Sequence, residues 1–163
     1  MRSIRLALLI AILTAVGAAQ AQGSAPGHVL PPWLRGVKYK PLEQRDDVVP
    51  WRVLAQVELI QLKTRYVPQY SDNVWALNHK DVKLQGFMIP LQVADGQSVF
   101  ILSAKPQTCM FCLPGGPESL VEVHAREPLK YTFEPLVMEG RLTVYKADPT
   151  GIFYRLTDAH PAN

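Results

Sequence analysis

The sequence predicts a mostly β domain, folded as a small, partly closed antiparallel barrel with one or two short helices. Three observations support this fold class. Short segments rich in Val, Ile, Leu and Phe recur along the chain, turn-forming residues separate them at regular intervals, and helical periodicity is confined to short stretches. Such strands bury their apolar sides by closing or stacking a sheet, so a compact sandwich is the alternative architecture.

The N-terminus is predicted to be an export signal. Two arginines precede an apolar run over residues 6–19, which ends in Ala-Gln-Ala. This pattern is typical of a cleaved secretory signal over residues 1–21, with cleavage after Ala21 and a periplasmic mature protein. The run is shorter than the roughly 20 residues that span a bilayer, and no second run follows. No cysteine lies near the cleavage point, so we expect neither an integral span nor lipid attachment there.

The charge of the chain limits the classes of partner, and its length indicates the number of domains. The chain has 17 Lys and Arg against 14 Asp and Glu, and two arginines lie in the predicted signal, which leaves 15 against 14 and a formal charge of +1. A nearly neutral chain lacks the cations that phosphate backbones require, so nucleic acid is not a predicted partner. The length suits one domain, which we place at residues 51–158, after an extended arm at 22–50 and before a tail at 159–163.

The first elements are short. The arm is rich in Pro and Gly, and we expect Trp33 and Trp51 to anchor it on the domain. Residues 53–62 alternate between apolar and other side chains, which favours a strand, although helical spacing also fits. A Ser-Asp pair before Val74 predicts a short helical turn, with Asp72 accepting from the first backbone N–H groups.

A β-hairpin is the clearest local signal. Residues 82–93 and 98–104 flank an Asp-Gly pair at 95–96, which supplies the positive φ angles of a tight two-residue turn. Gly86 inside the first strand predicts a bulge or a close approach of another backbone. Pro90 has no backbone N–H to donate, so we expect its nitrogen to face away from a neighbouring strand.

The C-terminal half is predicted to add three strands. They lie at residues 120–125, 136–146 and 152–156, and a Pro-Gly turn over 148–151 joins the last two. Gly140 repeats the mid-strand glycine seen at Gly86. Strands bent at such glycines are similar in architecture to those of an OB-like barrel, which by itself implies no function.

The two cysteines carry the chemical signal of the chain. They stand as Cys109-Met-Phe-Cys112, and the loop that supports them continues through Leu to Pro114, Gly115, Gly116 and Pro117. A local disulfide, a soft-metal site and thiol redox chemistry all fit this spacing. A disulfide across so short a ring would stabilise the fold by about 2 kcal/mol at most, although an oxidising periplasm would form one.

The metal and redox interpretations make different demands. Two thiolates suit Zn(II) or Cu(I), and a closed zinc site needs two further ligands. His124 is the candidate third ligand, with Met110 or Met88 as soft supplements. A reactive thiolate needs a helix N-terminus or a nearby cation. The prolines of the loop interrupt any helix there, which leaves Lys105 as the only nearby cation in the sequence.

Enzyme templates do not match the chain. The Gly-Gly pair at 115–116 lacks the Lys-Ser or Lys-Thr that completes a phosphate-binding loop. No Gly-x-Ser-x-Gly nucleophile elbow occurs. We therefore assign no catalytic residue.

Four spaced segments together resemble a known family. They are Lys-Asp-Val-Lys-Leu-Gln-Gly-Phe-Met-Ile-Pro-Leu at 80–91, Phe-Ile-Leu at 100–102, the cysteine motif through Pro117 at 109–117, and Val-Glu-Val at 121–123. This set is similar to a bacterial envelope family known as domain of unknown function 3299, over about residues 51–145. The resemblance implies a secreted or lipid-anchored envelope protein. An accessory of an ABC-type transport system is one kind of protein that fits this description. It implies no established activity.

These inferences lead to one hypothesis and two alternatives. The hypothesis is a non-catalytic periplasmic binding or accessory protein that uses the cysteine loop to hold zinc or copper, or to present a surface to an envelope or transporter partner. The first alternative is a thiol–disulfide redox protein that uses Cys109 and Cys112. The second is a metal-free assembly module of an envelope complex.

Overall fold

The computed structural model describes residues 38–109 and 112–162. The predicted signal at 1–21, the expected anchor Trp33 and the supplementary ligand Met110 lie outside these residues. The helices are α1 (Trp51–Leu54) and α2 (Asp72–Trp75), with a 3-10 turn at Pro117–Ser119. The strands are β1 (Val57–Gln61), β2 (Tyr66–Tyr70), β3 (Asp81–Pro90), β4 (Gly96–Ser103), β5 (Leu120–Lys130), β6 (Leu136–Val144) and β7 (Tyr154–Pro161). Within the described ranges no helix has the length and hydrophobicity that crossing a membrane requires.

Five of the strands close into a barrel in the order β3, β4, β5, β7, β6. Counted from the first barrel strand, this order is 1-2-3-5-4, the Greek-key order of OB-like barrels. The mostly β, OB-like prediction is confirmed. The barrel is closed rather than partly closed, and it is mixed because β5 and β7 are parallel while its other neighbours are antiparallel. The parallel pair has a simple cause, since strand directions cannot alternate all the way round a closed ring with an odd number of strands.

The barrel core is built from alternate residues of each strand. In β5, Val121 and Val123 are fully buried, whereas Leu120, Glu122 and His124 are half-buried on the outer side. This is the division of faces that the alternation predicts. The other fully buried hydrophobic residues of the barrel strands are Leu84, Phe100, Leu102, Met138, Leu142, Tyr154, Leu156 and Ala159. Each large apolar side chain removed from water in this way contributes about 1.5 to 3 kcal/mol to folding.

Two mid-strand glycines permit close backbone contacts. Strand β3 pairs with β6 as far as Gly86 and with β4 from Phe87 onward, so the strand changes partner there. A Cβ at Gly86 would lie 2.7 Å from the carbonyl oxygen of Ser103. At Gly140, where the β6–β7 register shifts, a Cβ would lie 2.7 Å from the carbonyl oxygen of Thr157. The close approach predicted at Gly86 is confirmed, and Gly140 makes a backbone contact of the same kind.

The hairpin of β3 and β4 is confirmed, but the prediction of a tight two-residue turn is wrong. Residues 91–95 separate the strands, and Gly96 already belongs to β4. Among the described glycines a positive φ occurs only at Gly151. Gly96 serves a different purpose, since a Cβ there would lie 2.7 Å from the Cβ of Pro128 on the neighbouring strand.

Three other boundaries differ from the sequence-based expectation. The strand expected over 53–62 begins only at Val57, because the first residues of that stretch complete α1. The N-cap of α2 is Ser71, whose hydroxyl accepts from the backbone N–H of Val74 at 3.4 Å, rather than Asp72. The last strand runs on to Pro161, so that Ala159, expected in a tail, is a fully buried barrel residue.

The described part of the arm lies along the outside of β3. The backbone N–H of Val49 donates to the carbonyl of Lys83 at 2.8 Å, and Nε1 of Trp51 donates to the carbonyl of Gln85 at 2.7 Å. Further back, the ring of Tyr39 packs edge-on against Phe87 with centroids 5.8 Å apart. Trp51 therefore anchors the chain on the barrel as expected.

Candidate binding face and cysteine loop

The loop between β4 and the 3-10 turn, residues 104–116, is called the cysteine loop below. Its backbone turns so that the N–H of Cys112 donates to the carbonyl of Cys109 at 3.3 Å. The two thiol groups hydrogen-bond each other; Cys109 is half-buried and Cys112 is exposed. The spacing of the two cysteines predicts that their sulfur atoms lie close together, and the loop has that geometry.

The neighbouring sulfur changes the acidity of the exposed thiol. The pKa of Cys112 is raised above its ordinary value of 9.0, chiefly because of the hydrogen bond with Cys109, with further contributions from desolvation and from the charge of Cys109. A raised pKa leaves less thiolate at neutral pH, and thiolate is the reactive form in both nucleophilic attack and metal binding.

The loop is held at both ends by neighbouring elements. The backbone N–H of Ala104 donates to the carbonyl of Ser119 at 3.1 Å, and the Ser119 hydroxyl donates to the carbonyl of Gly116 at 2.7 Å. The hydroxyl of Tyr39, in the arm, donates to the carbonyl of Gln107 at 2.9 Å. The cysteine pair therefore sits between a braced strand end and the arm.

The structure does not bring the candidate metal ligands together. His124 lies on the outer side of β5, where its Nε2 is 2.5 Å from Oε1 of Glu122. Met88 is 3% exposed within the barrel core. Within residues 38–109 and 112–162, no three His, Cys, Asp or Glu side chains converge as a metal site. Of the candidates that lie in the described part of the chain, only Cys109 and Cys112 are adjacent.

An aliphatic groove of about 430 Å³ lies beside the cysteine loop. Its floor is the outer side of β4 and β5, with Ile101, Leu120 and Glu122. One wall is the cysteine loop and the turn that follows, with Leu113, Gly115 and Pro117. The other side comes from Leu91, after β3, and from residues 150–152, before β7. In an OB-like barrel this is the usual ligand face, formed by the second and third strands and the loops after the first and fourth.

A polar cluster borders the aliphatic floor. Nε of Arg155 donates to Oε1 of Glu122 at 2.6 Å, and Nη1 of Arg155 donates to the hydroxyl of Tyr145 at 2.6 Å. The Arg155 guanidinium also stacks over the Tyr145 ring, 5.0 Å from its centroid. Because the Glu122 side chain is only 12% exposed, this network gives the groove one fixed, ion-paired carboxylate among aliphatic groups.

Comparison with known families identifies the chain. The family model described as "Protein of unknown function (DUF3299)" matches residues 45–157. The protein belongs to the DUF3299 family. Among solved structures, the crystal structure of a DUF3299 family protein from Pseudomonas aeruginosa PAO1, at 2.45 Å resolution, is 20% identical, with a TM-score of 0.47, covering 59% of this chain and 68% of that chain. No protein with a curated description matches.

Both features of the candidate site lie inside the DUF3299 match. The matched region includes the cysteine loop and every residue that lines the groove. A larger cavity of this DUF3299 protein, about 530 Å³, lies under residues 42–52. Its lining includes several charged side chains of the arm, and it lies away from the strand face on which OB-like barrels bind ligands. The groove is therefore the better candidate.

Sequence reasoning missed most of the groove in this DUF3299 protein. Leu91 begins the loop after β3 and Ile152 follows the turn before β7, and an isolated apolar residue beside a turn carries no functional signal. Glu122 and Arg155 are 33 positions apart and meet only because β5 and β7 are parallel neighbours. The single sequence signal that pointed to this face was the Cys-Leu-Pro-Gly-Gly-Pro run, which supplies one wall.

Proposed function

We propose that this protein is a non-catalytic binding or accessory protein of the bacterial envelope that holds an aliphatic segment of a partner protein in the groove. The observation that carries the proposal is the position of the groove, on the OB-type ligand face and with the cysteine loop as its wall. The signal pattern at residues 1–21 supports a periplasmic location. An envelope transport component is the partner class that the family resemblance implies.

The lining of the groove supports a peptide ligand rather than a nucleotide or sugar ligand. No aromatic ring is among the described residues that line it, whereas bases are held by stacking on aromatic rings. Leu91 and Leu113 are 55% and 59% exposed, so they offer apolar surface at the rim. Apolar surface of this kind, with one fixed polar group, suits an extended segment with branched aliphatic side chains.

Site-specific photo-cross-linking in cells tests the proposal. A benzophenone amino acid at position 91 and, separately, at position 113 should trap the same partner, seen as adducts of equal mass increment. A matched probe at Tyr131, which is 40% exposed and outside the groove lining, should trap none. Adding Ile152→Asp should abolish both adducts. Equal adducts at position 131, or none at the two groove positions, would contradict the proposal.

Soft-metal uptake is a second candidate function, favoured by the contact between the two thiols. Cu(I) accepts two thiolates, while a closed zinc site takes four ligands, and the described residues bring no third ligand to the pair. Titration against a colorimetric Cu(I) chelator should show one equivalent bound per chain. Cys112→Ser should remove it and His124→Ala should keep it. Equal binding by Cys112→Ser and the unmodified chain would end this candidate.

A thiol–disulfide redox function has less support. The exposed thiol has a raised pKa, whereas the attacking cysteine of a redox protein has a lowered one. Thiol titration before and after reduction, with the potential of the pair, would establish it if that potential proved moderately oxidising.

A further inference from the structure

An exposed hairpin, formed by β1 and β2, is the part of the structure that the groove does not involve; Arg65 and Tyr66, at the start of its second strand, border a cavity that residues 145–153 complete, whereas Leu59, Ile60 and Leu62 are not among the residues that line this cavity. These strands form a two-stranded sheet separate from the barrel, with Val57 opposite Tyr70 at the base and Gln61 opposite Tyr66 near the end. All residues over 58–66 are exposed. A hairpin of two strands is only marginally stable by itself in water, so an exposed one with apolar side chains suggests that another surface covers it.

The end of the hairpin is unusually apolar for exposed residues. Four residues, which we call the apolar tip, are 56%, 39%, 45% and 63% exposed: Leu59, Ile60, Leu62 and Tyr66. Exposed apolar surface concentrated at one site marks an interaction surface.

The apolar tip is apolar on both sides. Successive residues of a strand point to opposite faces, so Leu59 and Ile60 project on opposite sides of the hairpin. A rigid protein surface contacts one face of a hairpin and leaves the other in water. A hairpin with apolar side chains on both faces is suited to a medium that surrounds it.

The charges at the turn are complementary to anionic lipid. Lys63 and Arg65 lie at the turn, which the 2.8 Å bond from the N–H of Leu62 to the carbonyl of Arg65 closes. No Asp or Glu lies within residues 59–66. Among the described residues neither cation has an ion-pair partner. Long basic side chains can keep their charge at the headgroups while their stems lie along apolar groups, and a tyrosine ring suits the same interface.

We propose that this hairpin docks the protein on an anionic phospholipid surface, with the apolar tip in the interfacial region and Lys63 and Arg65 at the phosphate groups. The dimensions agree: the three residues from Ile60 to Leu62 span about 10 Å, and interfacial elements enter the headgroup–acyl boundary by about 5–10 Å. This membrane contact is separate from the groove and does not depend on the groove having a ligand.

Vesicle co-sedimentation of the exported protein, purified without detergent, tests the proposal. Vesicles of phosphatidylglycerol with phosphatidylcholine should bind the protein, and vesicles of phosphatidylcholine alone should bind it much more weakly. Leu62→Gln should weaken binding to the anionic vesicles about tenfold. Lys63→Gln and Arg65→Gln should each weaken it about fivefold, with less effect at high salt.

Matched controls separate the hairpin from general surface effects. Val93→Gln removes a fully exposed apolar residue elsewhere, and Lys130→Gln removes an exposed cation elsewhere; neither should change binding. Unaltered thermal unfolding of the hairpin variants would show that the barrel is intact. Equal binding to neutral and anionic vesicles, or binding that survives Leu62→Gln, overturns the proposal. Self-association that depends on Leu62, without vesicle binding, also overturns it and assigns the hairpin to a second copy of the chain.

Discussion

Glu122 and Arg155 face each other across the parallel strands β5 and β7, with Nε of Arg155 donating to Oε1 of Glu122 at 2.6 Å. The two side chains are 12% and 25% exposed, so the pair is screened from water more than a surface ion pair. It joins the floor of the groove to the last strand of the barrel.

Removing the Glu122 carboxylate should therefore lower the free energy of unfolding more than removing a charge from an exposed ion pair does. Glu122→Ala removes the carboxylate from the partly buried Arg155 guanidinium and leaves it only the contacts with Tyr145, so we expect the free energy of unfolding to fall by about 1–3 kcal/mol. Glu122→Gln keeps an oxygen acceptor at the same position and should lose less. Urea unfolding measures both values. Equal losses in the two variants would show that the hydrogen bond to Oε1 contributes nothing.

Gly86 should tolerate no side chain. A Cβ there would lie 2.7 Å from the carbonyl oxygen of Ser103 and 2.9 Å from Cγ of Leu102, so Gly86→Ala must displace backbone and should cost about 1–3 kcal/mol. Gly151→Ala is the comparison, since its φ is +80° but no atom lies within 4 Å. Its cost should be about 1 kcal/mol, from the left-handed backbone alone. A larger loss at Gly151 than at Gly86 would refute the close approach at β3.

Tyr154 should make the fold sensitive to alkaline pH. Its hydroxyl donates to the carbonyl of Leu54 at 2.6 Å, and burial raises its pKa above the ordinary value of 10.0. The unfolded chain therefore ionises first, and the free energy of unfolding falls as pH rises above about 10. Tyr154→Phe should cost about 1–2 kcal/mol at neutral pH and flatten the alkaline decline. Thermal unfolding measured from neutral pH to above about pH 10 checks this prediction. If stability declines as steeply in the variant as in the unmodified protein, the Tyr154 phenol is not the cause.

Cys112 should react slowly with alkylating reagents until its neighbour is removed. Because the hydrogen bond with Cys109 raises the pKa of Cys112, Cys109→Ala should move the midpoint of its alkylation rate to lower pH and increase the rate below that midpoint. Mass spectrometry of the reduced protein after timed reaction with iodoacetamide gives the rate at this residue. His124→Ala, outside the loop, should leave the midpoint unchanged. A midpoint that rises in Cys109→Ala would contradict the thiol contact.

Much of the fold could be predicted because its signals are local. Alternation in 120–125 predicts that Val121 and Val123 share one face of their strand, which is the buried face, and Gly86 marks a place where another backbone passes close by. The Asp-Gly turn failed for the opposite reason. Gly96 leaves room for Pro128 of β5 to pack against it. Because the two residues are far apart in the chain, no local sequence pattern shows that they meet.

The candidate site was predicted only in part. The adjacency of Cys109 and Cys112 follows from their spacing in the chain, and the contact between their thiols agrees with it. The third ligand was expected from a short separation along the chain, but His124 lies on a strand face where Glu122 is its neighbour. Separation in sequence sets how far a side chain can reach, whereas the direction of its strand decides what it meets.

The sequence alone determined the strand-rich character, the positions of the mid-strand glycines and the paired sulfur atoms, since each depends on residues that are neighbours along the chain. Closure of the barrel, the aliphatic groove and the contact of Glu122 with Arg155 were decided by tertiary structure. The physical reason is that a ring of five strands must contain one parallel pair, and that pair joins residues from distant parts of the chain.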